Sequence, residues 1–272
     1  MIYIFVFLFF ALPTTLFAAS PFKHIFFDQI LQKHVYDDGL VRYGALAQDR
    51  SLLDAYIDSL ANYSPTSHPD RFPETDDSLA YWINAYNAFV LRGVIDAYPI
   101  ASVKDAFLFS GFFNRQKFIA GGLELTLDYI ENRIIRPKFR DPRIHFAVNC
   151  GARSCPQLEK RAYTGNNLDS MLERSLERFA RDPQHVQLQG RRLTLSKILD
   201  WYGKDFIDWF PSDRANPEDK PPIVNYLLPY LPPATASQIV QSEDIELDYF
   251  DYDWTLNEAI EKGPPQPPED SP

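Results

Sequence analysis

Residues 79–91 of this chain contain no charged side chain, and a helix drawn through them is apolar on nearly every side. A helix of that kind must be surrounded by other elements, so any fold available to the chain places this segment inside. The spacing predicts a long helix over residues 77–98. Thr75, Asp76 and Asp77 supply capping and acidic groups at its start, and Pro99 stops it. Asn84 and Asn87 lie three apart on one face of this greasy run. Buried amides need partners, so the pair either staples neighbouring backbone or lines a pocket as binding residues.

Around this helix the pattern alternates between short helices and turns. Phe26, Ile30, Leu31 and Val35 recur at helical spacing within residues 22–35, and Leu52, Leu53, Tyr56, Ile57 and Leu60 do so within 48–60. Residues 63–73 hold three prolines and read as a loop. The stretch 101–121 is irregular and aromatic, with Phe107, Phe109, Phe112, Phe113 and Phe118, and Gly121-Gly122 makes a turn. A helix capped by Thr126 or Asp128 and ended by Pro137 follows, with Glu131 on the shoulder of its apolar face. Further on, a surface helix reaches about Arg181, its Glu and Arg residues interleaved on a solvated face. Gln189-Gly190-Arg191 between two β-prone runs signals a hairpin over 186–195. Short helices over 196–206 and 223–230 and a strand over 245–254 complete the pattern. The expected class is α+β: a helix-rich single domain of some six helices on a small, mainly antiparallel sheet. That sheet would include residues 144–149 and the 186–195 hairpin. A papain-like arrangement fits these parts by analogy, although the cysteine-before-histidine order of such enzymes is not met.

The ends read differently. Residues 1–20 are uncharged, with an apolar run over 2–12 followed by Pro13 and the small residues Ala18, Ala19 and Ser20. Such a run is too short for a bilayer core of ~30 Å, so it reads as a secretory signal peptide, with a retained anchor as the competing reading. The expected product is a secreted or periplasmic domain over 21–260 with no stable membrane span after cleavage, then a disordered Pro-rich tail over 261–272. The net charge of −10 and the lack of a basic run argue against nucleic acid as a partner. A small-molecule or peptide ligand remains open, no cofactor is implied, and the sequence does not specify an oligomeric state.

Chemistry concentrates in residues 143–156, which hold both cysteines and one of the five histidines. Ile144, Phe146, Val148 and Cys150 alternate with Arg143, His145, Ala147 and Asn149, which predicts a strand. Gly151 allows a sharp turn, and Pro156 suits the first position of a helix capped by Ser154 or Cys155. Three readings of the thiols compete. A Cys150–Cys155 disulfide would brace the loop in an oxidising compartment. A cysteine nucleophile would make the chain a hydrolase or acyl transferase on a peptide or amide-like substrate. In that reading Cys155 gains from a helix start, His145 is the base, and Glu131 or Asn149 orients the ring. A redox pair or metal site is the third reading, but zinc would need more ligands than one His and two Cys. Arg153, inside the loop, joins Asn84 and Asn87 as a candidate binding residue.

Several motifs occur together in one order: residues 82–88, 127–131, 145–151 with Ser154-Cys155-Pro156, Trp201-Tyr202 with Asp205-Phe206, and 252–257. In this the chain resembles the domain of unknown function 547 family over nearly all of its mature length. The resemblance implies a bacterial member behind a secretion signal and assigns no activity. Many bacterial members carry Ala-Ser after the first cysteine and Gly before the second, where this chain has Gly151-Ala152 and Ser154. Members outside bacteria can lack the second cysteine, which implies that neither a disulfide nor a role for Cys155 is universal.

Overall fold

The structure is a computed structural model that describes residues 19–107, 111–209 and 220–259. The expected signal peptide, apart from its last two residues, lies outside the described residues, as do Phe109 and the Pro-rich tail. Helices α1 (Ile25–His34), α2 (Tyr43–Gln48) and α3 (Ser51–Asn62) precede the long α4 (Thr75–Ala97). Every residue from 79 to 91 is buried in α4, as its all-round apolar character requires. The helix begins two residues before the expected Asp77. Its cap is Glu74, which forms a reciprocal capping box with Asp77.

A tight hairpin follows, β1 (Phe118–Ala120) and β2 (Leu123–Leu125), turning at Gly121 and Gly122 with φ of 56° and 82°. The Gly121 and Gly122 amides donate to the Leu60 and Ala61 carbonyls, satisfying acceptors left open at the end of α3. Thr126 then caps a continuous helical stretch: α5 (Leu127–Tyr129), a π-helical turn (Ile130–Ile135) and α6 (Arg136–Phe139). Pro137 does not end it. The wider turn places the proline at the start of α6, where no N–H is demanded, and the chain stops at Arg140 in a left-handed conformation.

The strand expected over 144–149 is absent. Residues Pro142–Phe146 form a 3₁₀ helix, with the Asp141 carboxylate accepting from the Arg143 amide at 2.9 Å and Pro142 at the first position. Ile144, His145 and Phe146 are all buried, so the alternation marks no solvent face. The helix expected to begin at Pro156 is also absent. Residues 156–163 run irregularly to α7 (Leu168–Arg181), whose buried side carries Leu168, Met171, Leu172, Leu176 and Phe179.

The sheet is therefore built from the C-terminal part alone. β3 (Val186–Gln189) pairs antiparallel with β4 (Arg192–Leu195), and β5 (Glu246–Tyr249) adds to β4 in parallel, Leu193 opposite Leu247. Between β4 and β5 run α8 (Lys197–Trp201), α9 (Gly203–Asp208), α10 (Pro222–Leu227) and α11 (Pro233–Gln241). The class is α+β, with two small sheets rather than one. Two hydrophobic clusters make the core, one around α4 and one around α7 to α11, and they adjoin at Phe146 and Ala147. Tyr252 packs against both, so the functional site described next lies on this seam. No helix among the described residues is long and apolar enough to cross a membrane.

Candidate functional site

The cysteines close a short loop by a Cys150–Cys155 disulfide, with Cα atoms 6.1 Å apart. Gly151 turns the chain at φ 81°, a conformation that a side chain would strain. The C-terminal segment clamps the loop from outside. Arg153 N donates to Thr255 O, Ser154 N to Asp253 O, and Asn257 N to Gly151 O, at 2.9–3.2 Å. Inside, the Cys155 sulfur faces the Cys150 amide at 3.0 Å, the Ala152 amide at 3.4 Å and the Tyr252 hydroxyl at 3.3 Å. The Tyr252 oxygen also lies 3.1 Å from the Cys150 sulfur. Cys155 is buried and Cys150 partly exposed. No helix start supports Cys155. The donors around it come from the loop's own backbone and from the Tyr252 hydroxyl.

Both asparagines of α4 bind backbone on two sides. Asn84 donates to Tyr163 O at 2.7 Å and accepts from Tyr163 N at 3.0 Å. Asn87 donates to Ala147 O at 2.9 Å and accepts from Asn149 N at 2.8 Å. Asn149 carries the brace onward: its amide donates to Pro156 O at 2.7 Å, and its oxygen accepts from Gly151 N at 2.9 Å. The route from central helix to disulfide loop is thus a relay of hydrogen bonds. Arg153 is exposed, donates to Glu258 O, and lies on a different concavity.

Beside the disulfide lies a cavity of about 340 Å³ lined by both cysteines, Glu131 and His145. One wall is a cluster of Trp201, Tyr252 and Trp254, with ring centroids 4.6–5.9 Å apart. Trp201 is 47% exposed at the rim. Tyr86, from the middle of α4, and Tyr202 line the deeper part. Burial pushes the hydroxyls of Tyr86, Tyr202 and Tyr252 above the ordinary tyrosine range, and the negative charge of Glu131 pushes them the same way. All three therefore stay protonated donors at neutral pH. The Tyr86 and Tyr202 side chains line the same cavity as Glu131. Glu131 is 7% exposed, sits on the π-helical turn and lines the cavity.

His145 is 2% exposed. Its Nε2 meets Asp205 at 2.8 Å, its ring stacks on Tyr202 at 4.0 Å, and its Nδ1 has no partner among the described residues. Asp205, on α9, also takes two hydrogen bonds from Arg136 at 2.6 and 2.8 Å. Burial alone would raise the Asp205 carboxyl, but the bonds from His145 and Arg136 outweigh it and hold it below the usual range. An ionised Asp205 accepts from Nε2–H, and Nδ1 is left without a protein partner among the described residues. The ring partner is thus Asp205, rather than Glu131 or Asn149. Asp205 lies 60 residues from His145, and sequence spacing gives no link between them. The Trp201-Tyr202, Asp205-Phe206 pattern was the available signal. Among the described residues no group of three or more His, Cys, Asp or Glu is arranged to hold a metal ion.

A family model described as "Protein of unknown function, DUF547" matches residues 70–180. That span includes α4, Glu131, His145 and the disulfide loop, and it stops before Trp201, Asp205, Tyr252 and Trp254. Comparisons with curated proteins and with solved structures each gave no match.

Proposed function

For a chain whose residues 70–180 form a DUF547 segment, we propose a ligand-binding role, with the aromatic cavity as the site and the Cys150–Cys155 bond as its brace. The carrying observation is a cavity of small-ligand size, walled by aromatics and holding a few convergent polar groups, beside which both sulfurs are consumed in a disulfide. The proposal includes export, because a braced loop of this kind persists in an oxidising compartment and residues 1–20 carry the composition of a leader. The test is a fragment screen by ligand-observed NMR on the oxidised mature chain, repeated on Trp201→Ala. Binding that weakens in the variant supports the role. Fragments that bind both proteins equally, or none that bind, count against it.

One observation favours a second reading, thiol chemistry after reduction. The Cys155 sulfur already faces two backbone amides and the Tyr252 hydroxyl, donors that would stabilise a thiolate, and His145 lines the same cavity. Amide or ester hydrolysis that appears only with a reductant and is lost in Cys155→Ala would make the chain a thiol-dependent hydrolase or acyl transferase.

A further inference from the structure

The polar content of the cavity is one-sided. Glu131 and Asp128 both line it, and of the two Glu131 is the buried one. It shares the cavity with Tyr86, Tyr202 and Tyr252, and among the described residues no Lys, Arg or His forms an ion pair with it. The nearby cation Arg136 feels the Glu131 charge, but its hydrogen bonds go to Asp205 and Asn132. A carboxylate taken out of water without a counter-cation is costly, and hydroxyl donors compensate only in part. The rest of the cavity is the electron-rich surface of tyrosine and tryptophan rings, whose faces attract cations. The same rings already do so on their outer sides, where Lys104 Nζ sits 4.3 Å from the Trp254 centroid and Arg136 lies 5.1 Å from that of Tyr202. His145, which also lines the cavity, holds Asp205 on its Nε2 and has no protein partner among the described residues for its Nδ1. The carboxylates lining the cavity are Asp128 and Glu131, no Lys or Arg among the described residues lines it, and the chain carries a net charge of −10 that draws cations towards it.

From this we infer that the cavity takes an organic cation, a quaternary ammonium or methylated amine, seated against the Trp201, Tyr252 and Trp254 rings with Glu131 as its counter-charge. The inference rests on the ligand-binding reading and specifies its ligand class. A phosphate, carboxylate or sulfate ligand would bring a second negative charge to Glu131, with no Lys or Arg among the described lining residues to meet it. A neutral ligand would leave the carboxylate uncompensated.

The test uses the full mature protein, oxidised, with two probes: choline and its uncharged isostere 3,3-dimethylbutan-1-ol. Binding is read by quenching of tryptophan fluorescence and by calorimetry. Choline should bind at least tenfold more tightly than the isostere. Glu131→Gln should remove most of that difference while leaving the affinity for the isostere nearly unchanged. Trp201→Leu, at a half-exposed position on the rim, should weaken choline more than the isostere while Tm stays near that of the parent. Equal binding of the two probes overturns the cation inference and leaves a pocket for neutral ligands. A full choline preference in both variants overturns the assignment of the cation to this site. Binding of neither probe overturns the cation inference, and if the fragment screen is also silent the ligand-binding reading falls with it.

Discussion

Replacing Asn87 by Leu keeps the heavy-atom count of the side chain, makes it bulkier, and removes one double hydrogen bond from the molecule. The Ala147 carbonyl and the Asn149 amide, bound at 2.9 and 2.8 Å, are left in a buried region with no other bond recorded to Asn87's position. Each unpaired buried group costs ~1–3 kcal/mol, so the variant should lose about 2–6 kcal/mol. For a domain of this size each kcal/mol lowers Tm by ~2–4 °C, which places the expected fall on the order of 10 °C. Differential scanning calorimetry measures Tm, and urea titration checks that the slope with denaturant is unchanged. Asn84→Leu is the internal control. It strips the Tyr163 N–H and C=O in the same way and should cost a similar amount. The two should part company in ligand binding. Asn87 leads through Asn149 to the disulfide loop, so only its loss should disturb the cavity as well. Variants that melt within about 1 °C of the parent would refute the stapling argument. If such variants also lost binding, the asparagines would be ligand contacts.

Two further outcomes follow from buried charge. Burial lowers His24 to about 3 and His185 to about 4, so the folded chain refuses protons that the unfolded chain takes up near 6.5. Their contribution to stability is complete above pH 6.5 and is lost as pH falls towards 4, at about 1.4 kcal/mol per pH unit for each histidine. Urea midpoints between pH 7 and 5 should fall accordingly, His185→Phe should flatten the slope, and a level profile would contradict the burial argument. Asp205→Asn removes the shared counter-charge of Arg136 and His145. It should cost about 2–4 kcal/mol, below the ~3–5 of a fully enclosed pair because Arg136 keeps some solvent. Chemical denaturation showing a loss under about 0.5 kcal/mol would count against that pairing.

The parts legible in the sequence are those where local pattern and environment agree. Residues 79–91 had no polar side, and the structure encloses them entirely. The turn at Gly190 sits between two β-prone runs and forms the expected hairpin over Val186–Leu195. The pair Asn84 and Asn87 announced a buried polar requirement, although their partners, Tyr163 and the Ala147–Asn149 backbone, could not be read from spacing. The failures arise where tertiary contact overrides pattern. Residues 144–149 alternate like a strand, yet both sides of the segment are buried, and Asp141-Pro142 starts a 3₁₀ turn instead. Pro137 looked like a stop, and the π-turn before it, which also carries Glu131, is invisible to a 3.6-residue period. Both cysteines, His145 and Glu131 were singled out as site residues and do line one cavity. Asp205 and the aromatic wall were not assigned to that site, because chain folding alone brings α8, α9 and residues 252–254 to it.

The account stands most directly on the oxidised state of the cysteine loop. Purified mature protein, never exposed to a reductant, can be denatured in excess alkylating reagent and weighed intact. A Cys150–Cys155 brace predicts no alkyl adduct, and two adducts only after reduction, with ligand binding measured on the unreduced sample. Two adducts without reduction, one of them forming fast near neutral pH on the native protein, would contradict the braced binding site and make Cys155 or Cys150 a working thiol.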